Sequence, residues 1–294
     1  MRDTRRERGS RHRGHAALAI SVLHAAFLAL LLAGTPRPAA AEPLPLWEFG
    51  LGVGALAFND YRGADTTHVY PLPVPYFVYR GTFLKSDQNG LRGSLFDQDR
   101  IELNVSVDAT TPVRNNSARA GMPDLRSTVE IGPSLNAHLW RSADERLQLD
   151  LRLPARAAFT VEASPRAIGW FYAPHLNLDV AAQPGPRGWK LGLLAGPLYA
   201  TRRYDDYYYS VAPVYAGPGR PVFAARGGYA GTEALVSLTR RFAGHWIGAY
   251  LRHDDLSGAS FESSPLVKRA SYWTAGVACV WMIAASPHLV ESRD

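Results

Sequence analysis

The stretch RLQLDLRLPAR, residues 146–156, alternates apolar and polar side chains. Leu147, Leu149, Leu151 and Leu153 fall on one face of an extended chain. Arg146, Gln148, Asp150 and Arg152 fall on the other, because successive side chains of a strand point to opposite faces. The same period recurs along the chain. In LWEFGLGVGALAF (46–58), Trp47, Phe49, Leu51 and Val53 stand opposite glycines. RIELNVSV (100–107) and STVEIGPSLNAHLW (127–140) repeat the pattern, and GWKLGLLAG (188–196) and ALVSLTRRF (234–242) carry weaker versions. Amphipathic-helix spacing is nearly absent. After residue 41 no stretch is long and apolar enough for a spanning helix. The chain therefore reads as all-β, and the question is what the leucine faces meet: a core, a second subunit or lipid.

The spacing predicts ten strands, at roughly 46–58, 70–86, 90–108, 126–140, 146–157, 167–182, 188–200, 228–242, 245–256 and 269–284, with twelve as the alternative count. The connections alternate in length. Long links such as ATTPVRNNSARAGMPDL and TRRYDDYYYSVAPVYAGPGRPVFAARG alternate with the short turns DQN, RSADE, QPGPR and AGH. Long loops at one end and short turns at the other are the habit of a transmembrane, antiparallel, up-and-down β-barrel of the outer membrane, with both termini at the periplasmic end. A lipocalin-like soluble barrel would turn the leucines inward around a ligand. Export, alternating loops and tryptophans at strand ends (Trp47, Trp140, Trp189, Trp246, Trp273) favour lipid. Arg146, Arg152, Asp150 and Glu102 are then expected in the lumen, filling it with ion pairs.

The first 41 residues stand apart. MRDTRRERGSRHRGH is arginine-rich, AALAISVLHAAFLALLLAG is largely apolar, and Ala39-Ala40-Ala41 offers small residues before Glu42. That order predicts a signal peptide at 1–41, with a barrel domain over 42–294 that ends in a tail at 286–294. A retained membrane helix is the alternative; Ser21 and His24 interrupt its run. Residues 1–41 hold seven basic and two acidic side chains, which leaves 25 and 24 in the rest of the chain. The high pI thus belongs to the leader and is no argument for nucleic-acid binding. Cys279 is the single cysteine, so no internal disulfide forms.

Several stretches together resemble one family. LWEFGLGVGALAFNDYRGAD, LPVPYFVYRGTFLK and NGLRGSLFDQDRIELNVSV are similar to the opening of the MipA/OmpV family. RYDDYYYSV and HWIGAYLRHDDLSGASFESSPLV resemble its later signatures. The resemblance implies an outer-membrane barrel that meets outer-membrane lipid. Its namesake branch implies a scaffold between a lytic transglycosylase (MltA) and a penicillin-binding protein. Other members imply adhesion or small-molecule passage. One departure is that ASYWTAGVACVWMIAA is followed by SPHLVESRD, where such barrels end on an aromatic residue.

The residues offer little chemistry. Asp205-Asp206 and His253-Asp254-Asp255 lie near strand ends, where a rim hydrolase would hold its acid and base, but neighbours on a strand point apart. His138, His175 and His245 are scattered, so no Ser/His hydrolase signature forms. GLGVGALAF precedes no helix, and no zinc-ligand spacing occurs. The expectation is a non-enzymatic protein without cofactor or metal, with a narrow channel or an outward-facing adhesin as alternatives. The unusual local feature is aromatic and acidic: Tyr204, Asp205, Tyr207, Tyr208 and Tyr209, with Asp60 and Tyr61 of FNDYRGAD at the same end. These are the candidate interaction residues. The bland alternative is an interface belt or loop packing.

Overall fold

The alternation translates into a wall whose polarity is inverted relative to a soluble protein. The structure, a computed structural model, describes residues 43–80, 84–87, 90–93, 96–98, 100–183 and 188–290. The leader at 1–41 lies outside the described residues, as do the tip of the DQN turn and most of QPGPR. The strands are β1 (Leu44–Pro45), β2 (Trp47–Asn59), β3 (Thr67–Arg80), β4 (Leu84–Asp87), β5 (Gly90–Gly93), β6 (Phe96–Gln98), β7 (Ile101–Ala109) and β8 (Thr128–Arg141). They continue as β9 (Leu147–Thr160), β10 (Ala167–Tyr172), β11 (His175–Ala181), β12 (Trp189–Ala200), β13 (Gly228–Arg241), β14 (His245–Asp255), β15 (Ser271–Ala285) and β16 (Leu289–Val290). One α-helix, α1 (Arg202–Tyr209), interrupts the longest loop.

All pairings in the large sheet are antiparallel and run in the order β5-β4-β3-β2-β15-β14-β13-β12, then β10 and β11, then β9-β8-β7-β6. The first and last long strands pair, Leu51 opposite Trp281. The two ends of the path, β5 and β6, follow each other in sequence, and β5 lies against β7. The sheet therefore closes on itself as a barrel where β5 meets β7, while from Thr67 to Val78 the second edge of β3 has no paired strand among the described residues. Eight of the ten predicted runs are present, allowing for end shifts of a few residues and a break at Ala173–Pro174. The stretch read as two strands at 70–86 and 90–108 instead reverses after Arg80 and adds a short hairpin, β4 with β5. Among the described residues the chain makes twelve passes, the alternative count.

Side chains on even positions of β2, β8, β9 and β15 point inward. On β9, Asp150 and Arg156 are buried while Leu153 is exposed. On β2, Phe49, Leu51 and Val53 are exposed while Glu48 is buried. Exposed Ile131, Leu135, Trp170, Leu176, Val277 and Ile283 extend this apolar band round the outside. Inside, Asp150 accepts from Gln148 and pairs with His138 at 2.8 Å and Arg152 at 3.6 Å. Arg156 binds Glu130 at 3.0 Å, and Arg241 pairs with Glu48. The leucines of 147–153 thus face lipid, and the charges face the lumen. Trp246 is a correction: it shares the inward parity of Tyr250 and Arg252, tilts against Tyr76 with centroids 5.9 Å apart, and takes no part in an outer girdle.

Every long connection, 60–66, 110–127, 201–227 and 256–270, leaves the same end. The opposite end carries the turns at 142–146 and 242–244 and the ribbon of β1 with β16. The tail is held in its first part: Leu46 donates to the His288 carbonyl and Ser286 to the Trp47 carbonyl. Much of the protein's buried apolar cluster lies at the loop end.

Candidate functional site

The seven residues singled out in the sequence meet at this loop end. The helix α1 forms on RRYDDYYY because Tyr204 and Tyr208, four residues apart, share its inner face. Arg202 pairs with Asp206 across the outer face at 3.5 Å, and Ser210 donates to Asp206 at 2.6 Å, closing the C-terminus. The helix lies over the lumen and reaches into it. The Tyr204 hydroxyl donates to Glu130 at 2.7 Å, and Tyr208 shares a hydrogen bond with Thr128 at 3.2 Å. Tyr209 donates to the Arg62 carbonyl at 3.0 Å and stacks on Phe261, centroids 3.7 Å apart. Tyr207 alone of the tyrosines lies at the border: its hydroxyl accepts from the Arg126 amide at 2.8 Å.

Other loops lock onto this helix. Tyr61 is buried, packs edge-on against Tyr209 and donates to the Leu266 carbonyl at 2.8 Å. Asp60 accepts from Asn116 at 2.6 Å and pairs with His68 at 2.8 Å. Arg119 donates to the Tyr208 carbonyl and Ser264 to that of Tyr209. Arg62 donates to the Ala230 carbonyl and pairs with buried Asp254, which Arg252 holds from the other side. Four loops are thus joined into one cap. The candidate residues are gathered as expected of one end of the barrel, but Tyr61, Tyr204, Tyr208 and Tyr209 are spent inside the cap rather than displayed on it. Arg62, Asn116, Arg119, Phe261 and Ser264 are the partners that sequence reading missed.

Asp205 is the electrostatic oddity of the cap. Its side chain is fully buried, one carboxylate oxygen lies 3.4 Å from the Ser260 hydroxyl, and the other has no hydrogen-bond partner. Burial pushes its carboxyl up to about 7, with Ser260 and Arg62 opposing. Burial also raises Tyr208 to about 12 and Tyr209 well above a tyrosine's usual value, so both stay neutral donors. His253 and Asp254 point apart: His253 packs on exposed Trp273, while Asp254 turns in to Arg62. Among the described residues no group of three metal-ligating side chains forms.

An apolar outer band, a charged lumen and a loop-built cap define an outer-membrane β-barrel. Residues 51–283 match the family model described as MltA-interacting protein MipA, and the chain belongs to that family. No curated protein matches the chain. Among solved structures it is similar to outer membrane phospholipase A from Escherichia coli, in an active-site mutant (TM-score 0.33) and in a second structure (TM-score 0.32). Each shares 14% identity and covers 86% of this chain and 96% of the other. A likeness that loose assigns no chemistry.

Proposed function

We propose that the protein is a non-enzymatic scaffold of the Gram-negative cell envelope, exported by residues 1–41. In this reading it holds a lytic transglycosylase at its turn end, and with it a penicillin-binding protein. The observation that carries the reading is the division of labour between the two ends. The loop end is consumed by its own packing, from Tyr61 to Leu266 and from Tyr209 to Phe261, which leaves little of the candidate aromatic surface for an outside receptor. The lumen is lined by ion pairs, Arg156 with Glu130 and Arg152 with Asp150, and bridged by Arg241 of β13 with Glu48 of β2, which argues against a wide pore. The turn end keeps a rigid rim: Ser142 and Asp144 hydrogen-bond within their turn, and β1 pairs with β16 beside it. The family name supports a lytic transglycosylase as the partner. Such a rim is small, so the contact is expected to be weak or transient.

The test is capture of purified MltA-type transglycosylase by the detergent-solubilised protein. Changing the turns 142–146 and 242–244 together is expected to lower capture, while replacing Tyr207 with alanine leaves it unchanged. Capture that survives the turn changes but fails with Tyr207→Ala would replace the scaffold reading with an outward-facing adhesin.

A further inference from the structure

We infer that the barrel holds a single-chain fatty-acid anion in a lumenal cavity, which the ligand enters sideways along β3. This goes beyond scaffolding and does not depend on it. A cavity of about 400 Å³ lies inside the wall, within the range of small-ligand sites. On one side Leu56, Leu72, Val74, Trp246 and Tyr250 make it apolar. Glycines keep it open. A Cβ at Gly276 would meet Tyr250 at 2.4 Å and Leu56 at 2.6 Å, and one at Gly192 would meet Ser237 at 2.5 Å. An apolar cavity inside an otherwise charged lumen is out of place unless something apolar occupies it.

The polar part sits at one level. Lys190 and Asp179 line the cavity with Ser237, and Lys190 is the second residue of β12 from the turn end. Asp179 already has partners: Asn177 donates to it at 2.7 Å, and Arg152 lies at 3.8 Å. Lys190 is the only cation among the lining residues; its charge is felt by Asp179, but it makes no ion pair within 4.0 Å among the described residues, so its ammonium can take a carboxylate. Leu72, Val74 and Tyr250 lie further along their strands toward the middle of the wall. A head group at the turn-end membrane surface with a chain running inward matches the posture of a fatty acid in that leaflet.

The entry follows from three prolines. Pro71, Pro73 and Pro75 recur at every second position of β3, so all three remove donors from one edge of the strand. The ladder with β2 runs unbroken from Thr67 to Tyr79, which places the missing donors on the other edge. On that edge β4 pairs only with Tyr79 and Arg80 among the described residues. Prolines in sheets belong to edges, and here the edge stands beside the cavity: Pro73 and Pro75 themselves line it. The wall is weakest where the cavity meets it, which gives a chain a route from lipid that the packed cap denies at the loop end.

The test uses the mature protein refolded into phosphatidylcholine nanodiscs and titrated with the fluorescent fatty acid cis-parinarate, empty discs being subtracted. One saturable site per protein is expected, displaced by palmitate and far less by hexadecylamine. Lys190→Met is expected to weaken palmitate at least about fivefold, since a charge-assisted contact is lost, and to leave displacement by hexadecanol unchanged. Leu72→Trp is expected to abolish the site by filling it; Ser237→Phe replaces it should that variant fail to show the heat-dependent gel shift of a folded barrel. No saturable signal above empty discs, or equal displacement by palmitate and hexadecylamine in both wild type and Lys190→Met, overturns the inference.

Discussion

Protonation of Asp205 should tighten the cap, and the effect should run opposite to the usual carboxylate. The group is fully buried between α1 and the loop carrying Ser260, and burial lifts its carboxyl from the ordinary 3.8 to about 7. The folded cap therefore binds the proton more strongly than the opened cap does. Stability from this group is complete below pH 3.8, declines as the pH rises, and is lost once the pH passes about 7. That difference corresponds to about 4 kcal/mol between the two extremes, an upper figure because the opened cap still belongs to a folded barrel. Asp205→Asn removes the ionisation and keeps the shape. The assay is limited proteolysis of the 201–227 loop in detergent, with a protease active across the range, followed by mass spectrometry at pH 5, 6, 7 and 8. Wild-type protection should fall steeply between pH 6 and 8, and Asp205→Asn should flatten the profile by gaining protection at pH 8. Arg62, which faces the group and is raised by Tyr272 and Asp254 against its own burial, keeps its charge throughout this range. A profile that is unchanged in Asp205→Asn, or protection that rises with pH, refutes the reasoning.

Leu149→Arg places a charge on the lipid side of β9 and should cost about 2–4 kcal/mol near the midplane, seen as loss of the heat-modifiable folded band. Tyr209→Ala removes the ring stacked on Phe261 and should destabilise the cap by about 3–5 kcal/mol, opening 201–227 to protease while the barrel still migrates as folded. Planar bilayers containing the purified protein should show little steady conductance; large, reproducible steps would make it a channel. N-terminal sequencing of protein from outer-membrane fractions should begin at Glu42, and a chain that still carries residues 1–41 in the inner membrane would contradict the leader.

The wall was legible because its signal is local. Leu147, Leu149, Leu151 and Leu153 need only their neighbours in sequence to declare a face, and parity places Asp150 and Arg152 inside. Residues 84–98 were less legible: the strands are three or four residues long, too short for a period to show, so the hairpin of β4 and β5 disappeared into two longer runs. Trp246 was assigned to a girdle by residue type, although its parity with Arg252 and Asp254 already put it inside. The cap was hardest. The spacing of Tyr204 and Tyr208 is a helical signal of one turn, whereas Tyr61 reaches Leu266 and Tyr208 reaches Thr128 across long stretches of chain. Such contacts are set by which loops share an end of the barrel, and that follows only after the strands are counted.

The placement of the core follows from the solvent. In a soluble barrel the apolar face of each strand would turn inward and hold the fold together. Here lipid takes that face, as the exposure of Phe49, Leu51 and Val53 shows, and the inner face keeps the charges. Apolar packing within the protein is then concentrated where the chain is long enough to leave the wall and return. The short turns at 142–146 and 242–244 cannot do this; the connections at 201–227 and 256–270 can, and Phe261, Leu256 and Tyr209 are buried there. Packing of this kind ties the loop end together, whatever else that end does. The cavity beside Leu72 and Trp246 runs from the middle of the wall to Lys190 near the turn end. On the scaffold reading and the fatty-acid inference, partner and ligand are both to be sought at the turn end or within the membrane, while Tyr204, Tyr208 and Tyr209 hold the loop end together.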